Sequence, residues 1–190
     1  YGKEGEVNLR GEEGEYDKKE NTITIEKNVV VTTSEGAKLK TEKLVWDAGK
    51  QMASTDKDVS VEKDNIYCEG KGAFANPEEK KVRIDKEVKV EIKPKTMITC
   101  KGPMELNYEN NIAVFYNDVK VEDERGNILA DKIEVYFLSG TRQIEKIISY
   151  GNVRLSQGEN TAYSEEAVYD SPSGKITLKG NPKLVVYPKD

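Results

Sequence analysis

The chain has 190 residues, 36% hydrophobic and 34% charged, with a net charge of −5 and no histidine. The acidic balance excludes nucleic acid as an expected partner, which would want a basic patch. The missing histidine excludes Ser-His-Asp and Cys-His nucleophilic arrangements and most zinc sites, and no apolar run approaches the ~20 residues of a membrane helix.

Residues 1–20 carry four glycines, frequent charges and little alternation, and read as a flexible or edge lead-in. From residue 21 a pattern recurs, anchored at Val29, Val59, Val88, Val119, Val153 and Pro182 at spacings of 30, 29, 31, 34 and 29. The residue before each anchor is short and polar or acidic, and the residue two after it is aliphatic. Six residues before the anchor stand Ile23, Ala53, Val82, Ala113, Ile147 and Ile176. All these offsets are even, so the set lies on one face of an extended chain. An interval of about 30 residues marks a repeat-built β architecture.

Each repeat holds two strands. The second follows at Leu44-x-Trp46-Asp47, Phe74-Ala75-Asn76-Pro77, Leu106-x-Tyr108-Glu109, Ile133-x-Val135-Tyr136 and Ala167-x-Tyr169-Asp170. Turn residues at Asp47-Ala48-Gly49, Asn76-Pro77, Asn110-Asn111, Ser139-Gly140 and Ser171-Pro172-Ser173-Gly174 separate the repeats, and Glu35-Gly36, Asp64-Asn65, Gly126-Asn127 and Gln157-Gly158 divide them internally. The polar triplet before each anchor, such as Tyr150-Gly151-Asn152, reads as a bend or bulge in one long strand, because a third reversal would flip the parity of alternate repeats. The expected fold is all-β: an antiparallel β-jelly-roll or open twisted sandwich of about six repeats and about twelve strands.

The inward apolar row is the candidate site: Ile23, Val31, Val61, Val82, Ile84, Val90, Leu106, Phe115, Val121, Ile133, Val135, Ile147, Leu155 and Leu184. Two readings fit it, a packed core or a groove open to apolar ligands. Trp46, Tyr108 and Tyr169 end strands, at a core edge or a cleft mouth. Cys68 and Cys100 share the inward parity with a strand between them, which predicts free, buried thiols. Unpaired edges are expected near residues 21–31 and 176–187, the second blunted by Pro182 and Pro188. The residues indicate no catalytic group, metal site or cofactor.

The segment Leu44 to Ile92 resembles the C-terminal half of LptC. The segment Met104 to Val186 is similar to the LptA (OstA-like) domain, through Asn117-Asp118-Val119, Leu129-Ala130-Asp131-Lys132-Ile133-Glu134-Val135, Tyr150-Gly151-Asn152-Val153 and Leu178-Lys179-Gly180-Asn181-Pro182. The domain reading is therefore one β-jelly-roll over residues 21–190, LptC-like over 21–98 and LptA-like over 99–190. The resemblance implies a non-enzymatic periplasmic carrier or bridge that shields the acyl chains of lipopolysaccharide (lipid A) on the way to the outer membrane. It also implies edge-strand pairing with other Lpt-type jelly-rolls, head-to-tail self-association, and a possible inner-membrane tether upstream of Tyr1. The rival reading is a polysaccharide-binding or polysaccharide-cleaving sandwich or solenoid, which needs outward aromatics beside carboxylates; Tyr136 is one such aromatic. A structural envelope repeat is the third.

Overall fold

Strict alternation with so few apolar residues leaves each strand one face to bury, and in this chain the sheet buries that face against itself. The computed structural model describes residues 7–93, 95–139 and 143–187; Gly140 and Pro188, named above as turn and edge residues, and residues 1–6 of the lead-in lie outside them. The strands are β1 (Val7–Arg10), β2 (Glu13–Asp17), β3 (Thr22–Thr33), β4 (Lys38–Asp47), β5 (Met52–Lys63), β6 (Ile66–Asn76), β7 (Lys81–Ile92), β8 (Thr96–Cys100), β9 (Met104–Asn107), β10 (Ile112–Asp123), β11 (Gly126–Phe137), β12 (Ile144–Gln157), β13 (Asn160–Asp170), β14 (Lys175–Lys179) and β15 (Lys183–Val185). They form one antiparallel sheet in chain order. Three rows are split: β1 and β2 both pair β3, β8 and β9 both pair β7 and β10, and β14 and β15 both pair β13. Fifteen strands therefore make twelve rows.

The polar triplets are bulges inside continuous strands. Left-handed residues stand at Lys27-Asn28, Glu87, Asn117-Asp118, Gly151-Asn152 and Gly180-Asn181, and the pairing register shifts at the same places, between Glu26 and Val29, Tyr116 and Val119, and Tyr150 and Val153. Asn, Asp and Gly tolerate this conformation, and the extra residue bends the strand. The amide side chains tie the bend down: Asn117 Nδ2 donates to the Gly102 carbonyl at 2.7 Å and Asn152 Nδ2 to Asp131 Oδ2 at 2.9 Å. Because successive rows bend at the same level, the whole sheet folds over along one corner.

At that corner β-branched and small residues alternate from row to row. Val29 pairs Thr41, Thr41 pairs Val59, Val59 pairs Gly70, Val88 pairs Cys100, Val119 pairs Ala130 and Val153 pairs Ser164. The five valines are among the most buried residues. Small partners are required where two half-sheets converge: a Cβ on Gly70 would lie 2.5 Å from Ile84 Cγ2 and 2.9 Å from the Lys86 carbonyl oxygen. Gly70→Ala is expected to destabilise the fold by about 1–3 kcal/mol through overpacking. A lowered denaturation midpoint checks this, and an unchanged one would contradict it.

The hairpins at the far end from the corner share one chemistry. The side chains of Asp17, Asp47, Asn76, Asn107 and Asp170 each accept from a backbone N–H two or three residues on, as Asx turns do. A left-handed residue, at Asn21, Gln51, Lys80, Asn111 or Gly174, then returns the chain to the next strand.

Three sequence expectations change. Phe74, which the second-strand pattern sets level with inward Leu106 and Ile133, lies on the outer face, and its neighbours Ala73 and Ala75, paired with Thr55 and Ala53, point inward. Residues 22–33 are paired on both sides, so the N-terminal free edge is β1 and β2 and not residues 21–31. The turn expected at Gly126-Asn127 falls two residues earlier, since β10 ends at Asp123 and β11 already begins at Gly126, whereas Asp64-Asn65 is the turn between β5 and β6.

Cys68 and Cys100 are both buried and unbonded, and β7 runs between their strands. Burial, with a smaller contribution from neighbouring Cys100, pushes the Cys68 thiol from 9.0 up to about 12. The unfolded thiol thus loses its proton first, so the stability tied to this group is complete below about pH 9 and is lost as pH rises toward 12. At mildly alkaline pH, an aromatic disulfide reagent is expected to modify Cys68 only as fast as the protein unfolds, because the thiolate is the reactive form. Equal rates with and without denaturant would contradict the burial.

Candidate functional site: an apolar trough between two half-sheets

The fold places the inward residues in three rows running along the corner, one on one wall and two on the other. Next to the corner on one wall are Val31, Val61, Val90, Val121 and Leu155. The other wall carries Ile84, Phe115 and Ile133 nearest the corner, then Ile23, Val82, Leu106, Val135 and Ile147 toward the rim. Burial falls from corner to rim and from the middle of the sheet to its ends. Ile133 is 0% exposed, Ile84 2% and Phe115 4%, whereas in the next row Val82, Leu106 and Ile147 are half-buried and Val135, in mid-sheet, is 5% exposed. On the opposite wall Val90 is buried, and Val31, Val61, Val121 and Leu155 are half-buried. At the two ends Ile23 is 38% exposed and Leu184 64%. The cross-section is a wedge, tightly packed at its apex and accessible along its mouth.

Among the described residues the buried polar members of the inward face are small hydroxyls, Thr41, Ser149 and Ser164. Thr41 Oγ1 donates to the Asp58 carbonyl at 2.8 Å, and Ser149 on β12 and Ser164 on β13 are buried. Charges stand at the rim instead. Arg125, on the turn from β10 to β11, is held first by Asp123 at 2.8 Å and then by the Tyr169 hydroxyl of the other wall, which together keep it above its usual range. The tip of one half-sheet therefore meets the rim of the other. Tyr108 is 50% exposed at the turn after β9, and Trp46 is half-buried near the end of β4.

Among the described residues each terminal row has an unpaired backbone edge with apolar side chains in the open, Val7 and Tyr16 at one end and Ile176, Leu184 and Val186 at the other. Sequence reasoning read residues 1–20 as a flexible or edge lead-in but missed that the first free edge lies there and not at residues 21–31.

It also missed a feature of the outer surface. On the half-sheet beyond the bends of β10 to β13, the outward residues pair in three rows: Ile112, Tyr136, Lys146 and Asp170; Val114, Glu134, Ile148 and Val168; Tyr116, Lys132, Tyr150 and Glu166. Seven of these twelve are apolar or aromatic, on a face that alternation should make polar. The run Ile112-Ala113-Val114-Phe115-Tyr116 was the available signal. Glu134 accepts from Lys132 Nζ at 2.6 Å, Tyr136 Oη at 2.7 Å and Tyr150 Oη at 3.3 Å. Burial would raise the Glu134 carboxyl, but these hydrogen bonds outweigh it and hold the group below its usual range. A carboxylate so held does not serve as a general acid near neutral pH.

Residues 1–93 match the family described as lipopolysaccharide-assembly, LptC-related, and residues 103–189 match the family described as LptA/(LptD N-terminal domain) LPS transport protein. The chain belongs to the LptA/LptC lipopolysaccharide-transport family. Its LptC-like part runs from β1 into β7, and its LptA-like part from the β8–β9 corner through β15. The family's members are periplasmic transport proteins rather than enzymes, and they bind lipopolysaccharide and other Lpt components. Among solved structures, the matches include LptH, the LptA homologous periplasmic component of the conserved lipopolysaccharide transport device from Pseudomonas aeruginosa, at 14% identity over 97% of each chain with a TM-score of 0.26. No curated protein matches. Among the described residues no helix is long and apolar enough to cross a membrane, and no group of His, Cys, Asp or Glu is arranged to hold a metal ion.

Proposed function

We propose that this LptA/LptC-family chain is a periplasmic bridge for lipopolysaccharide, in which acyl chains lie along the mouth of the wedge while the sugar and phosphate head stays in water. The observation that carries the reading is the burial gradient. A sheet folded on itself could bury its whole inner face, yet Val31, Val61, Val121 and Leu155 on one wall and Val82, Leu106 and Ile147 on the other remain half-open. Each methylene an acyl chain buries against them contributes about 0.8 kcal/mol. The repeat makes successive stations along the trough alike, and similar affinity at each station is what lets a ligand move along it.

The exposed backbone edges support the rest of the assembly. Strand addition at β1–β2 or at β14–β15 would continue both half-sheets, and with them the trough, into a neighbouring jelly-roll of the same family or a second copy of this chain. Residues 21–98 and 99–190 then act as one continuous unit. A fluorescent acyl probe bound in the trough tests the reading. Intact lipopolysaccharide is expected to displace the probe, whereas its lipid-free saccharide is not; a probe that never binds would overturn it.

A further inference from the structure

The outer face of β10–β13 lies on the far side of the sheet from the trough, and its make-up calls for a different ligand. Ring and charge alternate there at the spacing of neighbouring strands. Lys132 Nζ sits 5.5 Å from the Tyr116 ring centroid and 5.3 Å from that of Tyr150, and Lys146 Nζ sits 4.4 Å from that of Tyr136. With the Glu134 hydrogen bonds at 2.7 and 3.3 Å, these contacts fix the orientation of Tyr136 and Tyr150, while both rings stay partly exposed. The equivalent outward positions on the earlier rows hold a single ring, Phe74, which pairs Ser54 and Arg83 and carries no hydroxyl to join such a network.

Size and chemistry together select the occupant. Three strand intervals of ~4.8 Å by two steps of ~6.8 Å give a patch of roughly 200 Å². A stable protein interface needs about 800 Å² on each side. An acyl chain would want a row without charges, which the trough supplies and this face does not. A sugar ring matches it: its C–H face packs on an aromatic ring, and its hydroxyls need donors and acceptors side by side, here the Lys132 and Lys146 ammonium groups and the Glu134 carboxylate.

We propose that the outer face of β10–β13 is a saccharide-binding platform for a short oligosaccharide, with Tyr136 and Tyr150 as its stacking surfaces and Lys132, Lys146 and Glu134 as its hydrogen-bonding groups. The platform is separate from the trough and does not depend on acyl chains.

The test is an NMR titration of the full chain with the delipidated oligosaccharide of lipopolysaccharide, alongside a neutral glucan of similar length. Saturable shifts centred on the Tyr136 and Tyr150 ring signals are expected. Tighter binding of the first sugar assigns the platform to the lipid's own head; equal binding assigns it to envelope glycans in general. Tyr136→Ala/Tyr150→Ala is expected to weaken the saccharide at least tenfold and to leave acyl-probe binding in the trough unchanged. Lys146→Ala, which removes one donor and no member of the Glu134 network, provides a milder variant with a smaller loss in the same direction. No saturable binding, shifts confined to other residues, or variants that bind as tightly as the parent would overturn the platform. The trough reading survives those results, because its own probe measures it separately.

Discussion

Val121→Asp is expected to leave the protein folded and to abolish its binding of acyl chains. Val121 is half-buried on the wall of the wedge, paired with Ile98 on one side and Ile128 on the other. A carboxylate there can turn toward the mouth and keep its hydration, so the folding cost stays near 1–3 kcal/mol. An acyl chain lying over the same spot would have to strip that hydration from a charge, and each methylene it buries returns only about 0.8 kcal/mol. Thermal melts and acyl-probe titrations of the same preparation check the two halves of the expectation. A folded variant that still takes up the probe would sink the assignment of this wall.

Ile133→Ala is expected to act in the opposite way, through stability alone. Ile133 is 0% exposed, at the apex between Phe115 and Ser149. Truncating a buried isoleucine costs about 2–5 kcal/mol, part of it for the cavity left behind. For a chain of this size each kcal/mol lowers Tm by about 2–4 °C, so a drop of roughly 5–15 °C is expected. Acyl binding measured below the new Tm should change little. A loss under about 1 kcal/mol would mean that the apex is loosely filled, and would move the apolar ligand deeper than the wall at Val121.

The face of each first-type strand was legible in the sequence because its parity survives the corner. Ile25 and Val29 stand four apart with two left-handed residues between them, so both remain inward. Second-type strands switch parity instead: Thr41 and Leu44, Gly70 and Ala73, Ala130 and Ile133, and Ser164 and Ala167 each point inward three apart. That shift explains why Leu44, Ile133 and Ala167 were placed correctly from their aliphatic neighbours while the aromatic Phe74 was placed on the wrong face. The strands β1 and β2 were hidden because an edge strand needs no buried face; every residue of both is exposed. Hence composition suggested only a flexible or edge lead-in, and residues 7–17 are the edge.

Pattern alone could not decide between a packed core and an open groove, since both need the same alternation. What separates them is the depth of each row below the rim, which depends on how sharply the sheet folds at the bulges. Burial differs from row to row, with Ile84, Phe115 and Ile133 buried and Val61, Val121 and Leu155 half-buried. The outer patch was overlooked for a related reason. Alternation assigned Val114 and Ile148 to the solvent side without asking why apolar residues stood there.

The most direct measurement is native mass spectrometry of the folded chain with intact lipopolysaccharide, beside the same lipopolysaccharide stripped of its acyl chains. The predicted result is that intact lipopolysaccharide gives more adduct than the stripped form and that this acyl-dependent excess vanishes in Val121→Asp. The contradicting result is no adduct on folded protein, or adducts equal with and without the acyl chains, either of which would return the half-open walls to ordinary core.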